Sequence, residues 1–178
     1  MKSLFVFIWE VVKVVVIATA IVVPIRYFLF QPFLVKGQSM EPNFANGDYL
    51  IIDQLSYRFR EPQRGEVVVF KYPQMPSQRY IKRILGLPGE TVEVKEGKVV
   101  VSGFELKEYY LPSSVFTDEK GFERVALGEN EYFVLGDNRP ASSDSRVWGI
   151  LPGENIIGRV FIRAWPFVVF AKVEAPEY

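Results

Sequence analysis

Ser39 lies in the run Gly37-Gln38-Ser39-Met40-Glu41-Pro42, close behind an apolar stretch from Leu4 to about Phe30, in a chain that has neither histidine nor cysteine. A serine hydroxyl is a weak nucleophile unless a base activates it. Here no imidazole is available, so the base must be Lys, Asp or Glu, and no thiol can stand in for the hydroxyl. Arg79-Tyr80-Ile81-Lys82-Arg83 offers one lysine in an apolar setting. An unperturbed lysine titrates near pH 10.4, so roughly one molecule in a thousand is neutral near pH 7. Burial disfavours the ammonium and lowers that value by up to several units, and only a lysine of that kind serves as a base. A third segment, Gly136-Asp137-Asn138-Arg139-Pro140-Ala141-Ser142-Ser143-Asp144-Ser145-Arg146, is dense in polar groups and turn formers. It reads as a network that orients the lysine, with Asp144 and Arg146 as a paired clamp.

Each segment also has an ordinary reading. Most serines are solvated or cap something. A lysine alternating with Tyr80 and Ile84 usually points outward from an amphipathic strand. Asp, Asn, Ser and Pro favour solvated turns. Gly37 before Ser39 and Pro42 after it favour a constrained turn that presents the hydroxyl, since glycine permits close backbone approach.

The elements that must hold these residues follow from the pattern. The N-terminal apolar stretch is broken by Glu10, Lys13, Pro24 and Arg26. Trp9 and Tyr27 would lie about 27 Å apart on a helix, close to the ~30 Å of bilayer hydrocarbon, and interfacial aromatics suit both ends. Glu10 and Lys13, at i,i+3, can neutralise each other. Arg26 marks the far exit. Lys2 and Lys13 favour a cytoplasmic N-terminus only narrowly over Arg26 and Lys36. A cleavable secretory signal is the alternative, given Ala18-Thr19-Ala20, but the apolar run continues past it. A buried core helix is the other alternative, against which the sustained apolar length argues.

Beyond residue 30 the chain reads as strands. A turn at Phe44–Asp48 leads into Tyr49–Ile52, and Arg64-Gly65-Glu66 precedes Val67–Phe70. Pro73 and Pro76 bracket a loop, and Tyr80–Leu85 forms a strand ending at Gly86. Thr91–Val94 and Lys98–Val101 form a hairpin about Lys95-Glu96-Gly97. Residues 102–130 are more polar and loop-rich. Glu131–Leu135 delivers Gly136-Asp137-Asn138. Gly158–Phe170 is too short and interrupted for a second span and reads as a final core strand or a membrane-dipping edge. The expected organisation is an anchor over residues 1–30, an extracytoplasmic mainly β domain over 31–178, and a hairpin or insertion subdomain over about 87–130.

Composition narrows the function. The 178 residues leave one domain of ordinary size beyond the anchor, large enough to bury a core without disulfides. Lacking Cys and His excludes thiol catalysis, disulfides and the usual zinc sites. No EF-hand spacing is present. Lys and Arg number 21 against 21 Asp and Glu, with no basic block for nucleic acid. No metal, cofactor or nucleic acid is expected.

Taken together, the three segments resemble the conserved boxes of the type I signal peptidase family: Gly37–Pro42, Arg79–Gly89, and Gly136–Arg139 continuing through Ser142, Asp144, Ser145 and Arg146. The anchor and its Arg-Tyr-Phe exit also fit, and the single span and short insertion resemble the compact bacterial form. The resemblance implies an antiparallel β-sheet catalytic domain behind a transmembrane helix. By it, Ser39 is the nucleophile, neutral Lys82 the general base, Ser142 the hydroxyl that orients the lysine, and Asp144 with Arg146 the supporting ion pair. The Ser39 N–H would stabilise the oxyanion. Substrates would be exported preproteins with small residues at the first and third positions before the cut, lodged in shallow pockets lined by Phe33, Val35, Met40, Tyr80 and Ile81. The lipid bilayer and the secretion translocon are the other implied partners, and a bacterial cell membrane the location, with a single pass. Two departures stand out. Some members carry an oxyanion serine where this chain has Gly37, and Lys36 and Arg79 are basic where apolar or acidic residues are also familiar. A non-catalytic membrane-anchored assembly factor of the same fold is the main alternative. A self-cleaving repressor-type regulator would need a DNA-binding module, and none is visible.

Overall fold

The computed structural model describes residues 2–24, 30–167 and 171–176. Arg26, Tyr27 and Phe28, read above as the anchor's far exit, lie outside the described residues. The N-terminal stretch forms one helix, α1 (Lys2–Pro24). Its window Val6–Val23 is long and apolar enough to cross a membrane, and none of that window is buried within the molecule. Lys13 Nζ lies 2.7 Å from Glu10 Oε1, the i,i+3 pair expected from the sequence.

The rest is mainly antiparallel β-structure. In chain order the strands are β1 (Phe30–Leu34), β2 (Tyr49–Asp53), β3 (Val67–Tyr72), β4 (Met75–Gly86), β5 (Thr91–Lys95), β6 (Lys98–Val101), β7 (Phe104–Glu105), β8 (Arg124–Ala126) and β9 (Glu131–Leu135), followed by β10 (Leu151–Pro152), β11 (Ile156–Trp165) and β12 (Ala171–Lys172). One short helix, α2 (Ser145–Trp148), intervenes between β9 and β10. The larger sheet runs β1-β2-β11-β3-β4-β9-β10, with β12 beside β11, and the smaller runs β7-β6-β5-β8.

The central strand explains the core. In β3 the run Val67-Val68-Val69-Phe70 alternates faces. Val67 and Val69 pack with Val35, Met40, Leu50 and Ile81, while Val68 and Phe70 pack with Ile84, Tyr132, Val134 and Trp148. A strand covered on both faces reads as an unbroken apolar run. β9 continues the pattern: Tyr132 and Val134 join that second cluster, and Phe133 and Leu135 a third with Leu85, Val92 and Val101. Gly86 ends β4 where the two sheets meet, and a Cβ there would collide with Val92, Leu127 and Phe133.

One reading needs correction. Pro73 and Pro76 do not bracket a loop: Pro76 is the second residue of β4, and only a two-residue turn separates β3 from β4. Proline is tolerated near a strand's start, on its unpaired side. Of the two alternatives for the 158–170 segment, the core strand is the one that forms over its β11 residues: β11 pairs β2 from Arg159 to Trp165, β3 from Ile156 to Arg159, and β12 at Ile162 and Arg163; residues 168–170 lie outside the described set. The hairpin of β5 and β6 forms as the turn chemistry predicts, with Glu96 at φ 53° and Gly97 at φ 79° between paired Lys95 and Lys98.

Candidate active site

Lys82 stands in the interior of the large sheet, flanked by β3 and facing Val68 in register. The amphipathic-strand reading fails because the second half of β4, from Ile81 to Gly86, is buried on both faces. Lys82 is only 4% exposed. Its Nζ lies 2.8 Å from Ser39 Oγ and donates to the Ile81 carbonyl at 2.9 Å. Desolvation lowers its pKa from an ordinary 10.5 to about 8, against the opposing pull of the Asp144 and Asp137 carboxylates. A neutral amine fits these surroundings: one N–H serves Ile81, and the lone pair can take the Ser39 proton.

Ser39 is half-buried and its loop is pinned from two sides. Gly37 N–H donates to Asn46 Oδ1 at 2.9 Å, with Gly37 at φ 89°, where an L side chain is strained. Asn138 N–H donates to the Ser39 carbonyl at 3.1 Å, and Asn138 Nδ2 to the Gln38 carbonyl at 3.0 Å. Gly136 lies against the same carbonyl and against Ser142, and any side chain there would strike both. Among the described residues no hydrogen bond uses the Ser39 N–H, which leaves that donor available to a developing oxyanion.

Two buried ion pairs hold the acidic neighbours. Arg146 Nε and its terminal nitrogen bind the two Asp144 oxygens at 2.8 and 2.7 Å, and the guanidinium also donates to the carbonyls of Arg139 and Asp118. Asp144 further caps α2 through Arg146 N–H and accepts from Gly136 N–H. Burial alone would push the Asp144 carboxyl up, but the Arg146 guanidinium outweighs it and holds the group below its ordinary value. Arg83 pairs with Asp137 at 2.9 and 2.6 Å, and Asn43 Nδ2 donates to the same carboxylate at 2.9 Å.

Ser142 departs from its expected role. It is 2% exposed, close enough to Asp144 to favour that anion, yet it falls outside hydrogen-bonding geometry and stands as a buried hydroxyl without a partner. No hydrogen bond joins it to Lys82, whose contacts go to Ser39 and Ile81 instead.

An open cleft of about 650 Å³ reaches Ser39 and Lys82, and Phe33, Tyr80 and Ile81 line it. Val35 and Met40 do not. They are 2% and 1% exposed and sit in the core cluster with Ile81, so they support the lining rather than form it. Sequence reasoning missed Asn46, Asn43 and the Arg83–Asp137 pair as site residues. Arg83 follows the lysine and Asp137 opens the third segment, but spacing alone gives no sign that two residues 54 apart would meet.

The sequence matches the family described as "Signal peptidase, peptidase S26" over residues 8–165. It is 40% identical to the "Probable signal peptidase I-2" of Synechocystis sp. over 88% of this chain and 73% of that one. It is 39% identical to the signal peptidase I of Leptolyngbya laminosa, over 88% and 79% of the two chains. With the signal peptidase I of Bacillus amyloliquefaciens it shares 35% over 89% and 86%. A crystal structure of a signal peptidase I from Enterococcus faecalis V583, 36% identical, covers 57% of this chain and 97% of its own at a TM-score of 0.49. With a hydroxyl and a desolvated amine in contact at the floor of its cleft, the chain belongs to the signal peptidase family, peptidase S26.

Proposed function

We propose that this signal peptidase cuts exported preproteins with Ser39 as nucleophile and neutral Lys82 as general base. The observation that carries the reading is the 2.8 Å contact between Ser39 Oγ and an amine that is 4% exposed. Lys82 takes the Ser39 proton as Oγ attacks the scissile carbonyl carbon. The carbonyl oxygen becomes an oxyanion facing the Ser39 N–H, a donor of the kind worth about 3 kcal/mol in acyl transfer. Gly37 brings no side-chain donor, so the hole rests on backbone groups or on another hydroxyl. The Lys82 ammonium returns its proton to the departing amine, leaving an ester on Ser39. Lys82, neutral again, deprotonates a water that attacks the ester, and Ser39 recovers its proton as the signal peptide leaves.

Arg146 and Arg83 contribute through Lys82. Without them, two buried carboxylates would hold the lysine as an ammonium. Phe33, Tyr80 and Ile81 shape a shallow lining suited to small residues at the first and third positions before the cut. The membrane-length helix supports an anchor; the proposal adds a single pass with a cytoplasmic N-terminus, narrowly favoured by Lys2 and Lys13, the sheets outside beside the bilayer, and preproteins arriving from the translocon. A non-catalytic assembly factor is favoured neither by the relatives nor by a nucleophile and base in contact.

Purified full-length protein mixed with a preprotein should release the mature chain. Ser39→Ala and Lys82→Ala should each reduce that rate by at least about a thousandfold, as loss of a member of a catalytic unit does. Undiminished cleavage by either variant sinks the mechanism.

A further inference from the structure

The mouth of the cleft carries charge that the reaction does not use. Lys36 and Arg79 both line the cleft and are both exposed, and no side-chain hydrogen bond, ion pair or ring contact engages either one among the described residues. Among the described residues no Asp or Glu lines the cleft. The carboxylates nearest the reaction, Asp144 and Asp137, are buried and matched by Arg146 and Arg83. A chain whose charges balance overall therefore presents a local positive surplus where substrate enters.

We propose that Lys36 and Arg79 form a subsite for an acidic side chain at the second residue before the cut, and disfavour lysine or arginine there. The inference rests on the signal peptidase reading and deepens it. Successive side chains of an extended peptide point to opposite sides. The first and third residues before the cut turn to the floor, where Ile81 belongs to the core. The residue between them turns to the mouth, where the two cations stand. Exposed pairs are individually weak, so the combined preference for Glu over Lys should be about fivefold. It should fade toward about 1 M salt, where the screening length is about 3 Å.

The test uses the full chain in uncharged detergent and three peptides identical except for Glu, Gln or Lys at that position. The wild type should cut them in the order Glu, Gln, Lys by kcat/KM. The double variant Lys36→Gln/Arg79→Gln should cut all three within about twofold of one another, and Lys36→Glu/Arg79→Glu should reverse the order. Each readout is a ratio within one preparation, so a partly inactive preparation does not move it. Equal cleavage of the three by the wild type overturns the subsite, as does an order that survives in both double variants. A wild type that cuts none of the peptides fails the function itself, and the subsite with it.

Discussion

At the scale of residues, the site is an exercise in keeping one amine neutral. A lysine titrating near 8 is neutral in about one molecule in ten at pH 7, against about one in a thousand unperturbed. Desolvation does this, and the two guanidiniums limit the opposing pull of Asp144 and Asp137. Arg146→Gln should therefore act twice. It leaves the Asp144 carboxylate buried and unpaired, a cost of about 3–5 kcal/mol, and it raises the pKa of the lysine, so the ascending limb of activity should move to higher pH in whatever fraction remains folded. Denaturant midpoints and a pH–rate profile read the two effects separately. Ser142→Ala should behave differently. Its hydroxyl makes no hydrogen bond of good geometry, although it stands near enough to Asp144 to favour that anion, so stability should fall by no more than about 1 kcal/mol, and a fall in kcat would mean that the hydroxyl meets the lysine only once substrate is bound. A chain without His or Cys restricts the base for a serine to Lys, Asp or Glu, and the structure brings Lys82 to Ser39 and Arg146 to Asp144, but it was the resemblance of the three segments to a family, not spacing, that singled these residues out. Ser142 was placed in the right segment but given a bond it does not make, since hydroxyl geometry is not written in spacing.

At the scale of elements, β4 and the 136–146 segment do the positioning. β4 carries Lys82 between β3 and β9, and from Ile81 onward its side chains are buried because separate core clusters take Ile81 and Ile84. Alternation in the sequence is compatible with a half-exposed strand, and only the packing on both faces shows why this half is not one. Val35 and Met40 were misread for a related reason: an apolar residue beside a nucleophile could line a pocket or fill a core, and composition does not separate the two. The hairpin of β5 and β6 and the strand β9 were legible, because turn chemistry and apolar runs are local. Gly86 marks the junction of the sheets by close approach alone. Gly86→Ala forces a Cβ into Val92, Leu127 and Phe133 and should cost about 1–3 kcal/mol, read as a lower midpoint in urea.

At the scale of the whole molecule, the buried lysine is a liability to stability that the proposed mechanism requires. Its pKa falls on folding from 10.5 to about 8, so between those values the unfolded chain binds the extra proton and stability rises with pH. Below about pH 8 the ammonium is present in both states and the full penalty applies, about 3 kcal/mol. Lys82→Met should accordingly stabilise the protein near pH 7, and its advantage should shrink as pH climbs from 8 toward 10.5. An advantage that is constant across that range would contradict the desolvated amine. The most direct test remains the pH dependence of kcat/KM for preprotein cleavage by the wild type. A desolvated Lys82 acting as base gives an ascending limb with an apparent pKa of about 8; a limb near the ordinary lysine value of 10.5, or no limb at all between about pH 6 and 10, would contradict that role.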